Sequence, residues 1–130
     1  MIVLDTHIWV WWVSSPDFLS PKHKAYLEAH EQEGLGVCAI SVWEVAMLIA
    51  RGRLNFSLAA EDWLEQALGY PGVRLLELSP RIALKSAQLP GNFHKDPADQ
   101  MIVATAIVLD FPLMTMDTRV LNYPHVKLVP

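Results

Sequence analysis

The chain reads as an α/β protein with a central, mostly parallel sheet of four to five short strands flanked by helices, and three observations predict it. Short apolar runs, Ile2 to Leu4 and Val37 to Ile40 foremost, lack the alternation of a half-exposed strand, so both faces are covered. Helix-start chemistry follows such runs: Thr6 after the first, Ser41 after the second, Ser79-Pro80 after a third. Strand and helix signals then alternate along all 130 residues without repeat, low-complexity tract or linker, which predicts one domain spanning 1–130.

Composition agrees. With 52% hydrophobic residues the chain can bury a layered core without disulfides, and Cys38, the single cysteine, reads as a small buried apolar residue in Val37-Cys38-Ala39-Ile40. No apolar run approaches the roughly 20 residues a bilayer span needs. Asp5 interrupts the first hydrophobic run, so no secretory signal is read, and the expected compartment is the cytoplasm.

Taken in order, Ile2 to Leu4 is the first central strand and Asp5 stands at its carboxyl end. Thr6 can cap the segment Ile8 to Val13, where Trp9 and Trp12 share one helical face and Trp11 lies on another. Ser14 to Asp17 breaks the pattern. Ser20-Pro21 opens a polar helix running to about Glu33 and stopped by Gly34 and Gly36. Val37 to Ile40 is the second strand, and Ser41-Val42-Trp43-Glu44 matches a Ser-x-x-Glu capping box heading a helix that ends near Gly52. A further helix is expected from Leu58 to about Leu68, then a strand over Val73 to Leu78 and a short helix from Pro80 to Leu89. Asp96-Pro97-Ala98-Asp99 starts a helix whose positions from Met101 to Leu109 are nearly all apolar, so it is expected to be buried on most sides. Pro112 to Met116 gives a fourth strand, and Val126 to Val129 a last one at an edge.

Of fourteen acidic residues, five lie at a strand end or in the first turn of the following helix: Asp5, Glu44, Asp96, Asp99 and Asp117. Three of them also have a structural reading. Asp96 suits the N-cap, Asp99 the first turn near the positive end of the helix dipole, and Glu44 the capping box. Ligands of open parallel sheets bind beyond the carboxyl ends of the strands, so these acids can also converge, and converging carboxylates repel unless a cation joins them. Hard oxygen ligands with no cysteine pair and no histidine-rich spacing favour Mg²⁺ or Mn²⁺ over Zn²⁺, and the natural chemistry is metal-assisted attack on a phosphoester. His94 as a ligand is the weaker reading. The net charge of −4 speaks against nucleic acid at first, yet removing those five negative charges from −4 leaves +1. Arg51, Arg53, Lys95 and Arg119 stand near the acids and could meet backbone phosphates, or could be ordinary surface cations.

Four short motifs carry a family resemblance: Leu4-Asp5-Thr6-His7, Ser41-Val42-Trp43-Glu44-Val45, His94-Lys95-Asp96-Pro97-Ala98-Asp99 and Thr115-Met116-Asp117. In this order and spacing the chain resembles a PIN-domain ribonuclease, and the VapC toxins of bacterial and archaeal toxin–antitoxin pairs above all. The resemblance implies a three-layer PIN-like sandwich and an endoribonuclease using Mg²⁺, or Mn²⁺, held by the quartet Asp5, Glu44, Asp99 and Asp117. It implies nearby hydroxyls at Thr6 and Thr115 that position water or a ligand, with Asp96 as an extra acid beside the quartet. It also implies an RNA substrate, a homodimer, and a cognate antitoxin whose tail occupies the active-site groove. Gln100 stands where Arg often follows the last Asp of the third motif, and Ile49 where Lys often follows the Trp-Glu segment; both bear on substrate contacts. Two other readings compete. A phosphatase or phospho-acceptor would want a second acid close to Asp5, where this chain has Thr6 and His7, and a non-catalytic binding protein on the same scaffold would not need the intact quartet.

Trp9, Trp11 and Trp12 crowd one short helix, so at least one is expected to contact a second copy or the apolar part of an antitoxin tail.

Overall fold

A computed structural model describes residues 1–130. Four strands form one parallel sheet in the order β3-β2-β1-β4: β1 (Ile2–Leu4), β2 (Leu35–Cys38), β3 (Val73–Leu76) and β4 (Leu113–Met114). Because side chains alternate across a strand, Ile2, Leu4, Leu35, Val37 and Met114 enter one core, while Val3, Cys38 and Leu113 enter the other. Helices α1 (Thr6–Ser14), α2 (Pro21–His30), α3 (Ala39–Ala50) and α4 (Ala60–Leu68) all send residues into the first core. Helix α6 (Pro97–Leu109) and the short α7 (Thr118–Leu121) supply the second, with α5 (Pro80–Ser86) lying against α6. The result is the three-layer arrangement expected. No helix is long and apolar enough to cross a membrane.

Helix α6 explains why so few polar residues are needed to position a site. Ile102, Val103, Ala104 and Ala106 are all buried, and the alanines let the helix lie close to its neighbours. Pro97 is at N1 and Asp96 caps the start, accepting from Ala98 N at 2.9 Å and Asp99 N at 3.2 Å, so this boundary falls where the sequence places it.

Other boundaries move, each for a physical reason. Strand β2 begins at Leu35, two residues early, because Leu35 and Gly36 pair with Ile2 and Val3 on one side and with Val73 and Arg74 on the other; Gly36 lies so close to Leu76 that an added Cβ would be 2.6 Å from its Cδ1. Helix α3 therefore starts at Ala39, and Cys38 takes the N-cap without a side-chain hydrogen bond. The capping box is overturned: Ser41 is the third helical residue and Glu44 is past the first turn. At the start of α1, Asp5 is the N-cap in place of Thr6 and accepts from Thr6 N at 2.8 Å. Helix α4 starts at Ala60 and not Leu58, since Phe56 stacks on Trp63 at 4.2 Å between ring centroids and holds the preceding loop. Strand β3 stops at Leu76 ahead of the Ser79 cap, and α5 stops at Ser86, well before Pro90. The fourth strand shrinks to Leu113–Met114. Val126 to Val129 is no strand; Leu128 makes a single parallel bridge to Leu113 at the β4 edge.

The tryptophans divide. Trp9 is fully buried and donates from Nε1 to the Ala67 carbonyl at 3.2 Å, and Trp12 is buried beside Tyr70. Trp11 is half-buried, between His7 and Phe18.

Candidate functional site

Every strand points its carboxyl end the same way, so the residues that leave β1 and β4, and the helices that follow, meet at one edge of the sheet. A cavity of about 310 Å³ there is lined by Asp5, Thr6, His7, Glu44, Asp96, Asp99, Asp117 and Arg119, with Trp11 and Leu54 among its walls. All five junction acids thus open onto one space.

Asp5 is 4% exposed and both its oxygens are engaged. Oδ1 caps α1, and Oδ2 accepts from the Thr115 hydroxyl at 2.6 Å, while His7 Nδ1 lies 3.8 Å away. Thr115 Oγ1 in turn accepts from Asp117 N at 3.0 Å, so one hydroxyl ties the end of β1 to the loop after β4. Glu44, freed from the capping role, reaches Thr6, whose hydroxyl donates to Oε1 at 2.5 Å and lies 2.8 Å from the buried Ser41 Oγ. Ser41 thus serves the site by bracing Thr6.

Asp99, in the first turn of α6, is 9% exposed. Its Oδ2 lies 3.0 Å from His94 Nε2 and 3.5 Å from an Arg119 nitrogen. Asp117 caps α7 through Arg119 N at 2.9 Å, and the Arg119 guanidinium grips the same carboxylate at 3.2 Å and 2.9 Å. Gln100 donates to the His94 carbonyl at 3.1 Å and so holds the loop that carries His94. Arg51 lies off the cavity, in an adjoining groove of about 470 Å³ with Trp43, Met47 and Met101 that shares Glu44 and Asp96 with it. Arg53 and Lys95 are exposed and line neither space.

The charges are in tension. Burial first, then the neighbouring Asp5, Asp96, Glu44 and Asp117, push the Asp99 carboxyl up to about 7. Burial also raises Glu44, against the hydrogen bond from Thr6. Asp117 goes the other way: the hydrogen bond from Arg119 holds it below the ordinary carboxylate range. A cavity that drives a carboxyl to keep its proton near neutrality is short of positive charge, and its donors are carboxylate and hydroxyl oxygens. That set fits a hard divalent cation. The tightest group of possible ligands is His94, Asp99 and Asp117, whose donor atoms all lie within 4.8 Å of one another, while Asp5 and Glu44 are turned toward Thr115 and Thr6.

Sequence reasoning undervalued two contacts here. Arg119 touches two of the acids directly, and its position two residues after Asp117 was the available signal. His94 faces Asp99 although nothing in its spacing separates it from a loop histidine.

A parallel three-layer α/β domain with an acidic cavity at the carboxyl edge of its sheet is the class these features define. The chain belongs to the PIN-domain family, whose family model matches residues 2–126. It is similar to Ribonuclease VapC22 of Mycobacterium tuberculosis, with 36% identity over 124 residues, covering 95% of this chain and 92% of that one. Among solved structures, the fold is similar to the crystal structure of VapBC2 from Rickettsia felis bound to a DNA fragment from their promoter, with TM-score 0.73, 17% identity, and 99% and 98% of the two chains covered. It is also similar to FitAcB from Neisseria gonorrhoeae, with TM-score 0.68, 25% identity, and 100% and 97% covered.

Proposed function

We propose that this protein is a divalent-metal-dependent endoribonuclease of the VapC kind, the toxin of a toxin–antitoxin pair, acting as a single domain in the cytoplasm on RNA phosphodiester bonds. The observation that carries the reading is the meeting of Asp5, Glu44, Asp99 and Asp117, from separate parts of the chain, around one cavity where burial and the other acids push the Asp99 carboxyl up to about 7. The 36% identity to a protein named as a ribonuclease supports it along nearly the whole chain.

In this reading Asp5, Glu44, Asp99 and Asp117 hold Mg²⁺ or Mn²⁺. The ion supplies a water acidified for attack on phosphorus and a positive charge for the leaving oxygen. The chain does the rest. Thr115 and Thr6 orient the Asp5 and Glu44 carboxylates through the hydrogen bonds described, Asp96 fixes the entry of α6 and so the place of Asp99, and the wall formed by Trp11 and Leu54 limits access of bulk water. The cavity continues past Val10, Trp11 and Leu54 into an apolar groove that also includes Phe18, Phe56 and Leu58. An antitoxin tail lying there would reach the acids with a basic residue, and VapBC complexes among the similar structures support such a partner. A homodimer belongs to the same reading.

Incubating the purified, antitoxin-free protein with a panel of cellular RNAs, with Mg²⁺ or with chelator, and mapping fragment ends tests this. Discrete cuts that vanish in chelator are expected. Intact RNA at all Mg²⁺ concentrations, or cuts that survive chelation, would overturn it.

A further inference from the structure

The quartet accounts for the acids but leaves Arg119 without a task, and its surroundings suggest one. Both histidines beside the acids use one ring nitrogen to accept a backbone N–H: His7 Nε2 from Met116 N at 3.0 Å, and His94 Nδ1 from Asp96 N at 3.4 Å. Arg119 is the only permanent cation in contact with the cavity's carboxylates. It sits on Asp117 Oδ2 at 2.9 Å and Asp99 Oδ2 at 3.5 Å, the oxygens a divalent ion would take, and its side chain is 57% exposed on the short α7 at the cavity mouth.

An ion seated on those oxygens repels the guanidinium and weakens its hold on them. With more than half of its side chain exposed, Arg119 on release turns toward solvent at the entrance, where the phosphodiester arrives. A guanidinium presents a planar fork that binds two phosphate oxygens at once.

We propose that Arg119 is the residue that holds the substrate phosphate beside the scissile bond, and that in the metal-free protein it rests on Asp99 and Asp117 as an internal counter-ion which metal binding displaces. The proposal rests on the nuclease reading above and gives that site a substrate-binding residue. It also implies an order: metal first, then RNA, because the clamp is free only once the ion has taken its place.

Two substitutions, Arg119→Gln and Arg119→Lys, test it with two readouts. The first is calorimetric titration with Mn²⁺ alone at pH 7.5, without RNA. With the competitor gone, Arg119→Gln is expected to bind Mn²⁺ about three- to tenfold more tightly than the unsubstituted protein. The second is cleavage of a mixed-sequence single-stranded RNA at saturating Mn²⁺. There kcat/KM is expected to fall tenfold or more in Arg119→Gln and to recover in part in Arg119→Lys, and the salt dependence is expected to lose slope by about 0.7, one single-strand phosphate contact. Melting curves serve as the folding control, because the backbone N–H that Asp117 caps survives either change. Weaker or unchanged Mn²⁺ binding in Arg119→Gln would make Arg119 a brace for Asp117 and overturn the counter-ion role. Unchanged kcat/KM would overturn the phosphate role. The Mn²⁺ titration stands whether or not RNA is cut, so failure of the nuclease reading is seen separately, as no cleavage by the unsubstituted protein.

Discussion

Replacing Asp99 with asparagine is expected to stabilise the metal-free protein above pH 7, with a gain that shrinks as the pH falls toward 4. The Asp99 carboxyl is pushed from 3.8 up to about 7, by burial and by the acids around it. A carboxyl whose folded pKa is raised binds its proton more tightly folded than unfolded, so stability falls as pH rises from 3.8 to 7 and the loss is complete above 7. Roughly three pKa units at 1.36 kcal/mol each set a ceiling of about 4 kcal/mol for the relief that a neutral isostere brings. Part is returned, because the charged contact with Arg119 at 3.5 Å becomes a neutral one, a loss of about 1 kcal/mol. Lining the cavity, Asp99 is only partly shielded from solvent, which lowers the ceiling further, so the net gain expected at pH 8 in chelator is about 1 to 2 kcal/mol, or a Tm higher by roughly 3 to 8 °C for a chain of this length. Near pH 4 the carboxyl is largely protonated in the folded and much of the unfolded protein, and the gain should nearly vanish. Asp117, held low by Arg119, loses its contribution only at more acid pH and does not confuse this window. Thermal melts of both proteins at pH 4 and pH 8 decide it. Equal Tm values at pH 8, or a gain larger at pH 4 than at pH 8, would refute the crowding of charge around Asp99.

Cleavage should separate the acids, since Asp→Asn keeps most capping ability and removes the charge a cation needs: Asp5→Asn and Asp99→Asn are expected to lower kcat/KM at least a hundredfold, Asp96→Asn much less, and an equal loss for Asp96 would give it a direct role. Trp9→Ala should cost about 3 to 5 kcal/mol in chemical denaturation, because a fully buried indole and its hydrogen bond to Ala67 are lost. Trp11→Ala should leave the fold standing and weaken antitoxin binding or dimerisation by about 1 to 2 kcal/mol, measured by calorimetry or sedimentation. The buried Cys38 thiol, pushed up to about 11 by burial, should resist a disulfide reagent at pH 8 until the protein is unfolded; rapid native labelling would contradict that burial.

What the sequence made legible follows from how local each signal is. Asp96-Pro97 is decided within one turn, because φ and a missing N–H act on the residue itself, and the structure keeps that start unchanged. The apolar runs Ile2 to Leu4 and Met101 to Leu109 declare burial on both faces without needing a partner. The Ser41 capping box failed because its competitor was remote: β2 pairs with β1 and β3 over Leu35 to Cys38, the helix follows at once from Ala39, and Ser41 falls inside it. The same shift gave Glu44 to Thr6, thirty-eight residues away in sequence. At the site, the convergence of acids followed from strand-end positions and a parallel sheet. Which oxygens face one another did not, since Thr115, His94 and Arg119 set those orientations through contacts of long range or of rotamer choice.

The central claim, that these carboxylates share a cation, is tested most directly by the anomalous map of a crystal grown with Mn²⁺ at pH 7.5. A peak about 2.0 to 2.5 Å from oxygens of Asp99, Asp117 and Asp5, with Arg119 moved off the first two, is the expected result. No peak in the cavity at saturating Mn²⁺, or Mn²⁺ held elsewhere while Arg119 stays on Asp99 and Asp117, would contradict it.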